Sequence, residues 1–187
     1  MGRTDAPTRR RGAGNRDALI RAGFEAIASL GYARATTAEI CRRAGVSSGT
    51  FFHYFATKEE LLLAILGESD PPAEHSTLAE VLAGVLAEAA DPLGPGFVRE
   101  VSTLASLPRV SRALAEQAAK RRAMLTRVLE IEREAGRVRD DLPVGELRLR
   151  VEVLVAGIEA LAADTDPPEP QELESALRAL LDGAVHT

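Results

Sequence analysis

The chain has 187 residues, 45% hydrophobic and 27% charged, with a formal net charge of -5, which is ordinary globular usage and enough length to bury a real core. No apolar run approaches the ~18 residues needed to cross a bilayer, the basic start MGRTDAPTRRRGAGNR lacks the apolar segment of a secretory signal, and the single cysteine, Cys41, can close no intrachain disulfide. These features argue against a membrane protein, an exported protein or a disulfide scaffold. With no Cys/His cluster at zinc spacing, they predict a cytoplasmic protein without metal or cofactor.

In chain order, residues 1–15 form a leader with Arg9, Arg10 and Arg11 in a Gly/Pro-containing context, expected to be disordered when free. Apolar residues at Leu19, Ala22, Gly23, Ala26, Ile27 and Leu30 follow the i, i+3, i+4, i+7 rhythm of an amphipathic helix, which Gly31 ends. A short second helix follows: Thr36 and Glu39 have capping-box spacing, Ile40 and Ala44 share a face, and Gly45 stops it. Ser47 then caps a third short helix, SSGTFFHYF, which concentrates three phenylalanines and a tyrosine in nine residues. Thr57 and Glu60 repeat the capping-box spacing before Leu61, Leu62, Ile65 and Leu66 on a fourth helix, which dissolves in GESDPPAEHST.

Two short helices joined by Ala44-Gly45-Val46-Ser47 form a helix-turn-helix, whose second helix suits the major groove of DNA. Glycine supplies a left-handed turn residue, Val46 plugs the interhelical angle, and Ser47 satisfies free N–H groups. Phe51 and Phe55, four apart, share the face that packs inward. Ser48, Thr50, Phe52, His53 and Tyr54 are too many for a small three-helix unit to bury, so some of them face outward, where Phe52 suits a thymine methyl and His53 and Tyr54 suit base edges or phosphates. Lys58, a cation in the first turn of a helix, opposes the helix dipole, a conflict that a phosphate removes; Thr37 begins helix two in similar fashion. The charge agrees: residues 1–66 carry ten Lys/Arg against six Asp/Glu, and the remainder thirteen against twenty-two.

The run TTAEICRRAGVSSGTFFHYFATKEELLLAIL, preceded by LGYARA, resembles the DNA-binding domain of the TetR family of transcriptional regulators across about residues 16–66. The resemblance implies a homodimer, usually a repressor, that binds a palindromic DNA operator until a small-molecule effector in the C-terminal domain moves the two heads apart. Carried over by position, it makes Thr37, Ser48, Gly49, Thr50, Phe52, His53, Tyr54 and Lys58 the DNA contacts. The family often has tyrosine where this chain has Phe52, which lacks the hydroxyl. Cys41 stands where a small apolar residue is usual and reads as a buried structural thiol.

Residues 67–187 read as further helices over about 77–90, 96–106, 109–136, 144–163 and 170–184, with no strand candidate. The expected fold is all-α, with about nine helices: a three-helix DNA-binding domain joined by a fourth helix to a helical ligand-binding and dimerisation domain. Phe97, Val101, Leu104, Met124, Leu125 and Val128 are candidates to line an apolar effector cavity, with Ser102, Thr103 or Arg121 as polar handles. Phe97 is the one aromatic after residue 66, which favours an aliphatic effector. Wide apolar stripes mark the last two helices: Leu147, Val151, Leu154, Val155, Ile158 and Leu161, then Leu173, Leu177, Leu180 and Leu181. Burial within one chain explains such stripes, and the resemblance implies instead a four-helix dimer interface. Three histidines, one cysteine and the absence of a nucleophile motif or phosphate loop speak against an enzyme. A helical protein-interaction module without effector control is the competing reading.

Overall fold

A computed structural model of the chain describes residues 6–67 and 77–162 and, in the tail, 164, 168, 169, 171, 172, 174–176 and 179. Among these residues there is no strand; the continuous helices are α1 (Ala6–Leu30), α2 (Thr37–Ala44), α3 (Ser48–Tyr54), α4 (Lys58–Gly67), α5 (Leu78–Ala90), α6 (Gly94–Leu104), α7 (Pro108–Glu134) and α8 (Val144–Ala162), and residues 171, 172, 174–176 and 179 are helical as well, as the expected final helix requires. Helix α1 begins ten residues before the end of the expected disordered leader, so residues 6–15 are helical rather than disordered. Pro7 is compatible with a first helical turn, and Arg9, Arg10, Arg11 and Ala13 favour helix while Gly12 and Gly14 oppose it. Residues Leu173, Leu177, Leu180 and Leu181, expected at a dimer interface, lie outside the described residues.

The helix ends show why the short elements form at all. Thr36 accepts from the Glu39 N–H at 3.2 Å, and Gly45 at φ 67° closes α2 with Gly45 N–H to Arg42 O and Val46 N–H to Cys41 O, the paired bonds of a Schellman motif. Ser47 accepts from Thr50 N–H at 3.1 Å and starts α3 two residues later. At α4, Thr57 accepts from Glu60 N–H at 3.1 Å while the Glu60 carboxylate accepts from Ala56 N–H at 2.8 Å. A full capping box also opens α5 through Thr77 and Glu80. Its T-x-x-E spacing lies in the sequence at the start of the expected 77–90 helix.

The chain divides into two compact units, Met1–Ser69 with Gly96–Leu114, and Asp70–Pro95 with Ala115–Thr187. In the first, Leu19, Ile27, Ile40, Phe51, Leu61 and Leu62 are fully buried, and α1 packs on both α2 and α4. Cys41 is buried there too, its thiol donating to Ser47 O at 3.8 Å, as expected of a structural cysteine. In the second unit, Leu125, Val128 and Leu129 of α7 meet Leu147 and Val151 of α8 and Leu78, Val81 and Leu82 of α5. The α7–α8 turn is held by the buried carboxylate of Glu132, which accepts from Arg137 at 2.8 and 3.1 Å.

Candidate nucleic-acid interface

Helix α3 is short, and its two capping residues and two phenylalanines account for its position. Phe51 is fully buried, Phe55 nearly so, and their ring centroids lie 5.9 Å apart. The guanidinium of Arg16 on α1 stands 5.8 Å from the Phe55 ring, a cation–π contact that the sequence reading missed. With that side fastened, Ser48, Gly49, Phe52 and His53 are exposed. Phe52 is 57% exposed, and its ring meets Phe51 edge-on at 5.3 Å, so a buried ring braces an exposed one.

The remaining expected contacts are placed differently. Thr37 opens α2 half-buried, and the Thr50 hydroxyl shares a 2.9 Å hydrogen bond with Ser47, so it belongs partly to the cap. Tyr54 is half-buried and packs on the first core, with its ring 4.8 Å from His53 and 6.5 Å from Phe55. It supports the outward face as much as it belongs to it. Lys58 is not an ordinary solvated lysine. Its ammonium donates to the Tyr32 carbonyl at 2.6 Å and sits 4.1 Å from the Tyr32 ring centroid. Burial pushes its pKa down from the usual lysine value.

Glu39 does not complete the expected capping box. Its carboxylate turns instead to Arg42, at 2.7 and 2.8 Å, and to Arg43 at 2.8 Å, because two guanidinium groups offer stronger, charge-assisted hydrogen bonds than one backbone N–H. Hydrogen bonding to Arg42 and then Arg43 holds the Glu39 carboxyl down at about 2. A depressed carboxyl contributes stability that is present above its unfolded value of about 4.5 and is lost as pH falls towards 2. Thermal melts at low salt should therefore show Glu39→Gln less stable than the parent above pH 4.5. The small difference should close as pH falls towards 2.

The effector candidates are distributed over the two units. Phe97 and Val101 are buried in the first core with Leu104 packed against it, and Phe97 lies 4.8 Å from Phe24. Met124, Leu125 and Val128 belong to the second core, and Arg121 donates to Glu159 at 2.9 Å. The dimer candidates on α8 are mostly covered within the single chain. Leu147, Val151, Val155 and Ile158 are buried and Leu154 packs against them, all within the single chain's second core. Leu147, Val151, Val155 and Ile158 are thus covered by their own chain, while Leu154 keeps part of its surface. The large apolar residues that α8 leaves exposed are Leu149, Val153 and Leu161, at 55, 63 and 47%. Only Leu161 was in the expected set.

Residues 19–65 match the family described as "Bacterial regulatory proteins, tetR family". Over 84% of its length the chain is 29% identical to the HTH-type transcriptional repressor Rv1474c of Mycobacterium tuberculosis, covering 87% of that protein. Residues 19–65 are a TetR-family DNA-binding domain. The chain is a DNA-binding transcriptional regulator, and the helix-turn-helix of α2 and α3 lies wholly inside the matched segment. The fold of the chain is shared by a putative transcriptional regulator from Saccharomonospora viridis, solved in complex with choline, at a TM-score of 0.71 and 17% identity over 91% of this chain and 96% of that one. It is shared also by the transcriptional regulator FadR from Bacillus subtilis, solved with stearoyl-CoA, at a TM-score of 0.67 and 22% identity over 89% of this chain and 98% of that one.

Proposed function

We propose that this regulator is a homodimeric repressor that binds a palindromic operator through Ser48, Gly49, Phe52 and His53, with Thr37, Thr50, Tyr54 and Lys58 contributing backbone or supporting contacts. The observation that carries this reading is the division of α3: two rings buried to fix the helix, one ring and a histidine exposed beside a serine and a glycine. Residues 16–66 form the reading head, with residues 96–114 contributing to its packing, and the rest of 67–187 serves dimerisation and effector binding. Support for the repressor sign comes from the name of the Mycobacterium relative. The test is selection of duplexes from a random-sequence pool by the full chain, followed by a salt titration of the selected duplex. An inverted repeat and a steep fall of affinity with salt are expected. Failure to enrich any sequence at low salt would favour the protein-interaction alternative.

Phe52 has a specific expected outcome. A phenyl ring without a hydroxyl reads an apolar group, and the thymine 5-methyl is the apolar group of the major groove. Replacing the contacted thymine by uracil should weaken parent binding about fourfold, the value of one buried methyl group. The Phe52→Ala variant should show no thymine–uracil difference at any position. A difference that persists in the variant assigns the methyl to another residue.

For the effector, an aliphatic molecule fits better than a quaternary ammonium ion. A cation of the choline type is ordinarily held by aromatic faces, and the one aromatic residue beyond residue 66, Phe97, already packs on Phe24. The stearoyl-CoA bound by the Bacillus FadR supports an acyl chain on this fold. Long-chain acyl-CoA should raise the melting temperature and release DNA, and choline should do neither.

A further inference from the structure

Two charged side chains in the first unit stand at the wrong ends of helices. Glu100 of α6 places its carboxylate just past the C-terminus of α1, the negative end of that helix, and Lys58 is the first residue of α4, at that helix's positive end, with its ammonium reaching back to Tyr32 O. Each position alone is unfavourable. Both side chains meet the same residue: the Glu100 carboxylate accepts from Tyr32 N–H at 2.8 Å, and Lys58 donates to Tyr32 O at 2.6 Å. The Tyr32 ring lies under the same ammonium at 4.1 Å. Tyr32 is thus gripped at its N–H from α6, while its carbonyl and ring grip Lys58.

Gly31 shows that the carboxylate occupies a built place. Its φ of +83° is the left-handed conformation that ends α1, and a Cβ there would stand 3.2 Å from both Glu100 oxygens. Glycine is needed both for the turn and for the room it leaves the carboxylate. A second contact ties α4 to α7 nearby, with Arg109 at 3.5 Å from Glu59.

We infer that Glu100, outside the family-matched segment, is a positioning residue of the DNA site: it fixes Tyr32, and Tyr32 holds the Lys58 ammonium where a phosphate is met. The inference rests on the reading of Lys58 as a phosphate contact. It makes a prediction opposite in sign to simple electrostatics. Removing an acid from a protein that binds a polyanion should strengthen binding through the net charge, whereas removing a positioning acid should weaken it.

The experiment uses the full chain and the duplex it selects, titrated across salt concentrations. Lys58→Ala should weaken binding about tenfold and reduce the salt slope by about one, the loss of one phosphate contact. Glu100→Ala should weaken binding in the same direction with a reduced slope, and the double variant should be no weaker than Lys58→Ala. Glu100→Gln, which loses the same charge but keeps an acceptor for Tyr32 N–H, should bind at least as tightly as the parent. If Glu100→Ala lowers only the melting temperature, leaving affinity and slope unchanged, or if the two losses multiply in the double variant, the inference is overturned and the contact is merely a helix cap. An unchanged slope in Lys58→Ala overturns it together with the reading of Lys58 on which it rests.

Discussion

Phe51→Ala is expected to lower the stability of the first unit by about 3–5 kcal/mol, the cost of emptying a large, fully buried aromatic site. That is a large share of the ~5–15 kcal/mol that holds a typical domain together. Phe52→Ala, next in the chain, should cost at most about 1 kcal/mol, because its ring is more than half exposed and gives up chiefly an edge-on contact with Phe51. The two variants should separate in the opposite order when duplex binding is measured under conditions where both are folded. Tyrosine fluorescence during urea unfolding provides a local readout: the chain has no tryptophan, and its two tyrosines, Tyr32 and Tyr54, both lie in the first unit. Equal stability losses for Phe51→Ala and Phe52→Ala would refute the division of α3 into an inner and an outer face.

That division was legible from spacing alone, since residues four apart share a helix face and a short helix offers few alternatives. Caps at Ser47, Thr36 and Thr57 were equally legible, because each depends on neighbours within four residues. Glu39 marks where local reasoning stops. Its spacing from Thr36 permits a capping box, but its spacing from Arg42 and Arg43 permits two ion pairs, and only the folded geometry chooses between them. Lys58 was flagged by its unfavourable helix position, yet Tyr32, which holds its ammonium, lies 26 positions before it, and Glu100, which holds Tyr32, lies 68 positions beyond Tyr32. No periodicity reports such a pairing. The two compact units are interleaved in sequence, so the apolar residues of α6 and α7 divide between two cores, Phe97 and Val101 in one and Leu125 and Val128 in the other, a division that helical periodicity does not report.

Helix α8 differs from α3 in having no single apolar face. It is apolar on more than one side, so its sequence offers two candidate stripes and no means of ranking them. The chain itself covers Leu147, Val151, Val155 and Ile158. Leu149 and Val153 remain outside, with Ala156 and Ala160 exposed on the continuing turns of the same face, at the i, i+4, i+7 and i+11 positions. Small residues there would let a second helix come close, and a Cβ on the neighbouring Gly157 would meet nothing within 4 Å. If this face joins two copies, Val153→Asp sets like charges against each other or against an apolar partner, and the chain should sediment as a monomer at micromolar concentration. Binding to a duplex with two half-sites should then fall by about 10²–10⁴-fold through lost avidity, while binding to a single half-site stays unchanged. The single-chain fold should barely respond, because Val153 is 63% exposed. Val151→Asp supplies the contrast: it buries an unpaired carboxylate where Val151 is fully covered, so it should unfold the second unit rather than split a dimer. If Val153→Asp remains a dimer, Leu149 and Val153 are ordinary exposed residues, and the partner-binding face must be sought elsewhere on the chain.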